Sequence, residues 1–233
     1  MSTGRLEPDQ VQGMFDRIAP RYDLMNQVMS VGLHHRWRER AAQVADVAAG
    51  DRALDCCTGT GDLAFALARR VSQSGEVVGI DFAELMLERA REKTPDALNV
   101  RFLQGDATDL PFDADSFDAA TMAFGIRNIP DRAAALAEMR RVVRPGGRIV
   151  ILEITTPTRL KGLLDTWFQR AVPTLGRLVS KDASAYAYLP ASTLRFPQPR
   201  DFAAEIDASG IVDVRWQKFL GGLIALHYGR VGR

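Results

Sequence analysis

The hydrophobic and polar positions of residues 52–153 follow two alternating periods. Short apolar runs rich in β-branched residues are separated by longer segments in which apolar residues recur every three or four positions. Parallel strands joined by helices produce this alternation, so the pattern predicts a doubly wound α/β sheet. The predicted strands are residues 52–56, 76–81, 100–104, 118–124 and 148–153. The predicted helices between them are residues 62–71, residues 83–93 and a third helix that begins after an N-cap at Asp131 and ends near residue 143.

Helical patterns flank this core on both sides. Residues 1–50 are mostly amphipathic and helical. Beyond residue 153 the alternation stops, and residues 155–197 are predicted to form a helical cap over the edge of the sheet that faces ligand. The two helical patterns of this cap are residues 160–172 and 174–187.

The C-terminal segment, residues 198–233, returns to regular structure with a helix at 198–209. Two strands, 211–218 and 223–230, follow closely enough for Gly221 and Gly222 to join them as an antiparallel hairpin. We therefore interpret residues 1–233 as a single domain whose core is residues 51–154.

Composition and charge exclude several function classes. The 30 Lys and Arg residues nearly cancel the 29 Asp and Glu residues, which removes the basic footprint of a dedicated nucleic-acid-binding protein. The two cysteines are adjacent, at Cys56 and Cys57, and the chain has three histidines, so we expect neither a disulfide framework nor a metal site. No run of eighteen apolar residues and no signal peptide occurs, so a cytoplasmic location is expected.

A glycine-containing turn follows the first predicted strand. Gly59, Thr60 and Gly61 lie between that strand and the first helix, where glycines let a ligand approach the backbone closely. Asp81 ends the second strand twenty positions after Gly61, where a carboxylate accepts hydrogen bonds from ribose hydroxyls. The spacing Gly59-x-Gly61-x-x-Ala64 also satisfies a relaxed dinucleotide fingerprint, so an NAD(P)-dependent oxidoreductase is a serious alternative.

Acidic residues around the turn favour a different ligand. Asp55 and Asp62 bracket the turn and would repel a pyrophosphate, whereas they suit an ammonium group such as that of S-adenosylmethionine. Asp106 and Ala107 follow the third strand, where a carboxylate can accept the adenine amino hydrogen and a small neighbour borders the ring. Together with the C-terminal hairpin, this arrangement resembles the class I S-adenosylmethionine-dependent methyltransferase fold, a Rossmann-like seven-stranded sheet whose last strand is antiparallel.

Four segments narrow the resemblance to one family. The sequence YDLMNQVMS at residues 22–30, followed by His34 and Trp37, closely resembles the N-terminal signature of the menaquinone and ubiquinone C-methyltransferases. The segments FGIRN at 124–128, RVVRPGG at 141–147 and ALH at 225–227 are also similar to that family. The resemblance extends over residues 15–228, nearly the whole chain.

The resemblance implies S-adenosylmethionine as the cofactor and a set of residues that bind it. Ala123 stands where the family has a small polar residue, so only its backbone could contribute. The predicted cofactor-binding residues are Asp55, Gly59, Thr60, Gly61, Asp81, Phe82, Asp106, Ala107 and Ala123.

The resemblance also implies methylation of a ring carbon on a prenylated quinol, with demethylmenaquinol as the first choice of substrate. A ubiquinone-branch or dual-specificity enzyme is the nearest variant. The quinol must lose a proton, which costs about 4 kcal/mol at neutral pH for a pKa near 10. We assign Arg127 to stabilising the quinolate and Asn128 to orienting a hydroxyl or water, while the base could be a water, Tyr22 or Asp23.

A prenylated substrate implies contact with a membrane surface. Peripheral contact with the inner face of the membrane is therefore expected. Whether the chain also forms a homodimer is left open by the sequence. Two apolar stripes at helical spacing could form a mouth for the lipid tail, although such stripes usually pack onto the core. The stripes are Val11, Met14, Phe15 and Ile18 near the N-terminus, and Leu160, Leu163, Leu164, Trp167 and Phe168 in the cap.

Overall fold

The computed structural model describes residues 8–156 and 183–232, which form helices around one sheet. The helices are α1 (Pro8–Ile18), α2 (Tyr22–Ser30), α3 (Leu33–Val44), α4 (Asp62–Val71), α5 (Glu84–Lys93), α6 (Arg132–Val142), α7 (Ala183–Arg195) and α8 (Pro199–Ala208). The strands are β1 (Arg52–Cys56), β2 (Glu76–Asp81), β3 (Val100–Gln104), β4 (Phe117–Ala123), β5 (Val143–Ile154), β6 (Ile211–Phe219) and β7 (Ile224–Val231). Short 3₁₀ turns occupy Ala19–Arg21, Ile126–Asn128 and Leu220–Gly222.

The seven strands form a sheet in the order β3-β2-β1-β4-β5-β7-β6. Strands β1 to β5 pair in parallel, whereas β7 is antiparallel to both of its neighbours, β5 and β6. This topology confirms the predicted class I methyltransferase fold with an antiparallel last strand. It also brings the carboxyl ends of β1, β2, β4 and β5 to one edge, where open α/β sheets bind ligands.

The core lies on both faces of the sheet. One face is covered by α3, α4 and α5, through buried side chains such as Ala41 and Leu67. The opposite face is covered by α6 and α8, through residues such as Met139 and Phe202. Because both faces are covered, β1, β2 and β4 are nearly continuously buried, which explains their apolar sequences.

Two element boundaries differ from the sequence-based prediction. Strand β5 begins at Val143 rather than at residue 148, because Val143 pairs with Phe117 before the ladder resumes between Arg148 and Ala119. The expected break at residues 145–147 is therefore an irregular stretch within the strand. Helix α7 continues to Arg195 instead of ending at 187, although Pro190 lies inside it. Packing of Tyr188 and Leu189 against α1 and α2 favours this continuation.

The N-terminal stripe faces inward rather than toward solvent. Val11, Met14 and Ile18 are buried in a cluster that includes Ala83 and Met86 beside α5. Burial of Met14 and Ile18 favours the alternative that they pack onto the core, whereas Val11 and Phe15 also line the cavity described below. The apolar cap residues of the second stripe, and the cap helices predicted before residue 183, lie outside the described residues.

Polar contacts fix α1 against the β2–α5 connection. Gln12 Nε2 donates a hydrogen bond to the Phe82 carbonyl at 2.7 Å. The Asp16 carboxylate accepts one from the Leu85 amide at 3.3 Å, near the N-terminus of α5.

Within the described residues, no helix is both long and apolar enough to cross a membrane.

Candidate active site

A cavity of about 240 Å³ lies at the carboxyl ends of the parallel strands. The strand ends and the loops that follow them form its floor, and α1 and α2 form a wall. Its lining residues are Val11, Phe15, Tyr22, Cys57, Gly59, Ile80, Asp81, Phe82, Met86, Gly105, Asp106, Ala107, Thr108, Ala123, Phe124, Gly125, Asn128, Ile129, Pro130 and Asp131. Most of the predicted cofactor-binding residues are therefore brought together at one place.

The glycine turn after β1 requires its glycines for two different reasons. Gly61 has φ +85°, and a Cβ there would lie 2.9 Å from ring atoms of both Phe65 and Phe102. Gly59 has φ +56°, but a Cβ there would meet nothing closer than Tyr22 at 3.9 Å. Gly61 thus permits close internal packing, whereas Gly59 leaves its backbone accessible from the cavity, as a bound ligand needs.

Asp81 connects the glycine turn to the end of β2. Its carboxylate accepts hydrogen bonds from the amides of Gly59 at 2.8 Å and Ala83 at 3.0 Å. The side chain is buried at 6% exposure yet lines the cavity, and this burial raises the pKa of Asp81 to about 6. Each carboxylate oxygen keeps a free lone pair, so the group can also accept ribose hydroxyls.

Asp55 lies behind the turn rather than in the cavity lining. Its two oxygens accept hydrogen bonds from the hydroxyls of Thr58 and Thr121, both at 2.7 Å. Burial raises the pKa of Asp55 to about 6, and the threonine hydroxyls partly offset this effect. A buried carboxylate in this position can attract a cationic group at the turn.

Thr60 and Asp23 form part of a polar contact between α2 and the turn. The Thr60 hydroxyl donates to Asp23 at 2.5 Å, and Lys93 bridges Asp23 at 2.7 Å and Asp62 at 2.8 Å. Lys93 therefore already supplies the ammonium group that we expected Asp62 to take from a ligand. Asp23, a candidate base, has both oxygens engaged and does not line the cavity.

Arg127 forms a buried ion pair that the sequence analysis did not anticipate. Its Nη1 donates to Glu153 Oε1 and to the Phe124 carbonyl, both at 2.6 Å. Glu153 has no exposed surface, and burial raises the pKa of its carboxyl group against the opposing effect of Arg127. The only sequence signal for Glu153 was an acidic residue near the end of an otherwise apolar strand. The pair orients Arg127 beside the cavity without placing it in the lining.

Asn128 and Tyr22 do line the cavity. Asn128 Oδ1 is buried and has no hydrogen-bond partner among residues 8–156 and 183–232, and the same holds for Arg127 Nε. Burial raises the pKa of Tyr22, whose ring packs edge-to-face on Phe15 with centroids 6.3 Å apart. Asn128 Oδ1 is thus an acceptor without a partner in a lining with aromatic walls, which suits a ligand with a hydroxylated ring.

The remaining predicted residues border the other end of the cavity. Asp106 is exposed and its carboxylate accepts a hydrogen bond from the Thr108 amide at 2.8 Å, so it stabilises its own turn. Ala107 is buried, and Ala123 and Phe82 are half-buried in the lining. This end therefore offers small and aromatic surfaces with a carboxylate beside them, as an adenine ring requires.

Comparisons with known proteins agree with this geometry. The ubiE/COQ5 methyltransferase family model matches residues 4–231. The chain is 40% identical over 231 residues to a demethylmenaquinone methyltransferase of Staphylococcus aureus (strain JH9), covering 98% of this chain and 96% of that protein. Among solved structures, it is similar in fold to a SAM-dependent methyltransferase from Aquifex aeolicus, with TM-score 0.62, 21% identity and coverage of 83% of this chain and 89% of that one. A SAM-dependent methyltransferase from Thermotoga maritima aligns with TM-score 0.65, 19% identity and coverage of 94% of this chain and 98% of that one.

Proposed function

Because the chain belongs to the ubiE/COQ5 methyltransferase family, we propose that it transfers a methyl group from S-adenosylmethionine to a ring carbon of demethylmenaquinol. The 40% identity to a demethylmenaquinone methyltransferase over nearly the full length of both proteins supports this substrate. The family membership decides against the NAD(P)-dependent oxidoreductase that the glycine spacing also allowed. The observation that carries the proposal is the cavity at the strand ends, whose lining includes the Asp81 carboxylate, the partnerless Asn128 Oδ1 and aromatic side chains.

Residues in and behind the cavity lining suit three parts of the methyl donor, namely its ribose, its adenine and its amino-acid end. Asp81 would accept the ribose hydroxyls, and Phe82 with Ala107 would border the adenine. Asp55 and the turn at Gly59 would face the amino-acid end. When bound, S-adenosylmethionine supplies an electrophilic sulfonium methyl group.

The protein must then help the quinol to ionise. Loss of a proton from a hydroxyl with a pKa near 10 costs about 4 kcal/mol at pH 7, so a cation or hydrogen-bond donor at the hydroxyl accelerates the reaction. Asn128 would orient that hydroxyl through its partnerless Oδ1, and Arg127, which lies beside the cavity, would stabilise the quinolate while Glu153 fixes its position. Because burial raises the pKa of Tyr22, its phenol stays protonated at neutral pH and acts as a donor rather than as the base.

The proposed substrate is lipophilic, so the protein would meet it at a membrane surface. An exposed apolar stripe on α2 supports this part of the proposal. Leu24 and Val28 lie four positions apart on α2, Val31 directly follows the end of the helix, and Leu24 and Val31 are 55% and 81% exposed. The exposed Arg36 follows on α3 and would favour anionic head groups.

Product analysis with labelled methyl donor tests the proposed function. The purified protein is incubated with S-adenosylmethionine carrying a labelled methyl group and with demethylmenaquinol, a benzoquinol precursor of ubiquinone, or a catechol. We expect label on the ring carbon of demethylmenaquinol and the smallest amount of product from the catechol. Oxidised demethylmenaquinone is the matched control, because it has no hydroxyl to ionise and should not react. Label on a catechol oxygen, or label from the oxidised quinone, would contradict the proposal.

A further inference from the structure

Arg38 is a buried cation whose hydrogen bonds are made to an uncharged partner. It lies on α3 at 6% exposure, and its Nη1 is 2.7 Å from His34 Nδ1. Since Arg38 can only donate, His34 Nδ1 must be the unprotonated nitrogen, which leaves Nε2 to donate to Gln27 Oε1 at 3.2 Å. His34 is therefore neutral. Burial, reinforced by Arg38, lowers the pKa of His34 to about 4, in agreement with this geometry.

The carboxylate nearest to Arg38 compensates its charge only in part. Asp62 Oδ2 lies 4.0 Å from Arg38 Nη1, beyond hydrogen-bond distance, and Asp62 Oδ1 is already paired with Lys93 at 2.8 Å. Within the part of the chain that the structure describes, the hydrogen bonds of the Arg38 guanidinium all go to atoms of His34. A buried cation with incomplete compensation is costly, and an anionic group brought to it would be bound strongly.

Arg38 lies next to the end of the cavity formed by the glycine turn. Its Cζ is 5.1 Å from the ring centroid of Phe124, which lines the cavity. Its charge also reaches the other residues at this end, since it counteracts the burial that raises the pKa values of Tyr22 and Asp55. A buried cation and a buried carboxylate, Asp55, therefore lie close to the same turn.

We propose that Arg38 binds the α-carboxylate of S-adenosylmethionine, while Asp55 attracts its ammonium group. The amino-acid end of this molecule is a zwitterion, and one group of each sign matches it. The inference rests on the proposed function, because it takes the methyl donor as the ligand of the cavity. Arg38 lies outside both the glycine motif and the cavity lining, so it would be an additional binding residue.

The alternative is that Arg38 only links α3 to α4 and to the loop after β4. The two roles differ in their response to the ligand's carboxylate. Loss of a structural link would weaken binding of any adenosine-containing ligand, whereas loss of a carboxylate-binding residue would weaken only ligands that carry the carboxylate.

Calorimetry with two ligands separates these roles without methyl transfer. The probes are S-adenosylhomocysteine and its decarboxylated analogue, 5′-deoxy-5′-(3-aminopropylthio)adenosine, which keeps the adenosine, the sulfur and the amine. We expect the wild-type protein to bind S-adenosylhomocysteine about ten- to a hundredfold more tightly than the analogue. In Arg38→Met this preference should disappear, with the affinity for the analogue nearly unchanged. Arg69→Met, which removes an exposed arginine of α4 that pairs with Glu39 of α3, should keep the full preference.

Each other outcome is decisive. Equal weakening of both ligands by Arg38→Met, or an unchanged preference, would overturn the inference. If Arg38→Met does not fold, Arg38→Lys retains the charge but loses the planar donor pair, and a reduced preference with an unchanged melting temperature is then the expected result. A wild-type protein that binds neither ligand would count against the proposed function, whereas one that binds both equally would count against Arg38 alone.

Discussion

Replacement of Asp55 by asparagine measures what the buried carboxylate costs the folded protein. Asp55 is 1% exposed, and burial raises its pKa from 3.8 to about 6. A carboxyl group with a raised pKa holds its proton more tightly in the folded chain than in the unfolded one. The free energy of unfolding therefore falls as the pH rises from about 4 to about 6, and stays lower above that range. At ~1.36 kcal/mol per pKa unit, the cost reaches about 3 kcal/mol above pH 7, and about 1.4 kcal/mol of it develops between pH 5 and pH 8.

Urea unfolding of the wild-type protein and Asp55→Asn at pH 5 and pH 8 tests this value. An amide can accept a hydrogen bond from one threonine hydroxyl and donate one to the other, so Thr58 and Thr121 keep partners. Any packing change is common to both pH values and cancels in the comparison. We expect the stability of the variant, relative to wild type, to be about 1.4 kcal/mol greater at pH 8 than at pH 5. Asp113→Asn, which removes an exposed carboxylate, controls for the loss of one negative charge. The same relative stability at both pH values would refute the reasoning.

Three further substitutions test other contacts of the site. Asp81→Ala should weaken S-adenosylhomocysteine binding about ten- to a hundredfold in calorimetry, and an unchanged affinity would remove Asp81 from the ribose site. Arg127→Met leaves Glu153 buried without its cation and should lower the free energy of unfolding in urea by about 3–5 kcal/mol. The double variant Arg127→Met/Glu153→Leu should recover most of this loss. An equal loss in both variants would contradict the ion-pair argument. Lys93→Met should cost about 1 kcal/mol in urea unfolding at pH 7. Lys93 contributes to the lowered pKa of Asp62, so the cost of losing Lys93 should shrink as the pH falls below 4 and Asp62 becomes protonated. A cost independent of pH would mean that Lys93 acts through packing.

The sequence predicted the sheet and its ligand-binding edge well because these follow from local patterns. Each of the first four strands is a short apolar run with a clear boundary, and Asp81 and the glycine turn occur at strand ends where ligand-binding groups are expected. The antiparallel hairpin followed from two glycines between strands. Boundaries failed where distant packing decides, as in α7, which continues past Pro190 because its residues contact α1 and α2.

The side-chain pairings of the site were much less accessible to prediction. Arg38 stands in a strongly polar run, HHRWRER, which is typical of a solvated helix face, yet it is buried. Glu153 and Arg127 are 26 residues apart, and no periodicity indicates that they pair. The stripe that includes Val11 left two alternatives open, because an amphipathic stripe has the same pattern whether it faces a membrane or the core. Only the tertiary structure distinguishes these cases.

The contacts of α1 with the β2–α5 connection constrain when the cavity can form during synthesis. Gln12 and its partner Phe82 are separated by 70 residues, and at about 5–20 residues per second the ribosome needs roughly 4–14 s to deliver the second after the first. Throughout that interval the 11-residue helix lacks the Ala83 and Met86 side chains that it packs on, and a helix of that length is too short to be stable in isolation. One wall of the cavity is thus synthesised before the second strand but cannot be in place until that strand has been made. A nascent chain halted before that strand would therefore be unable to retain the nucleoside.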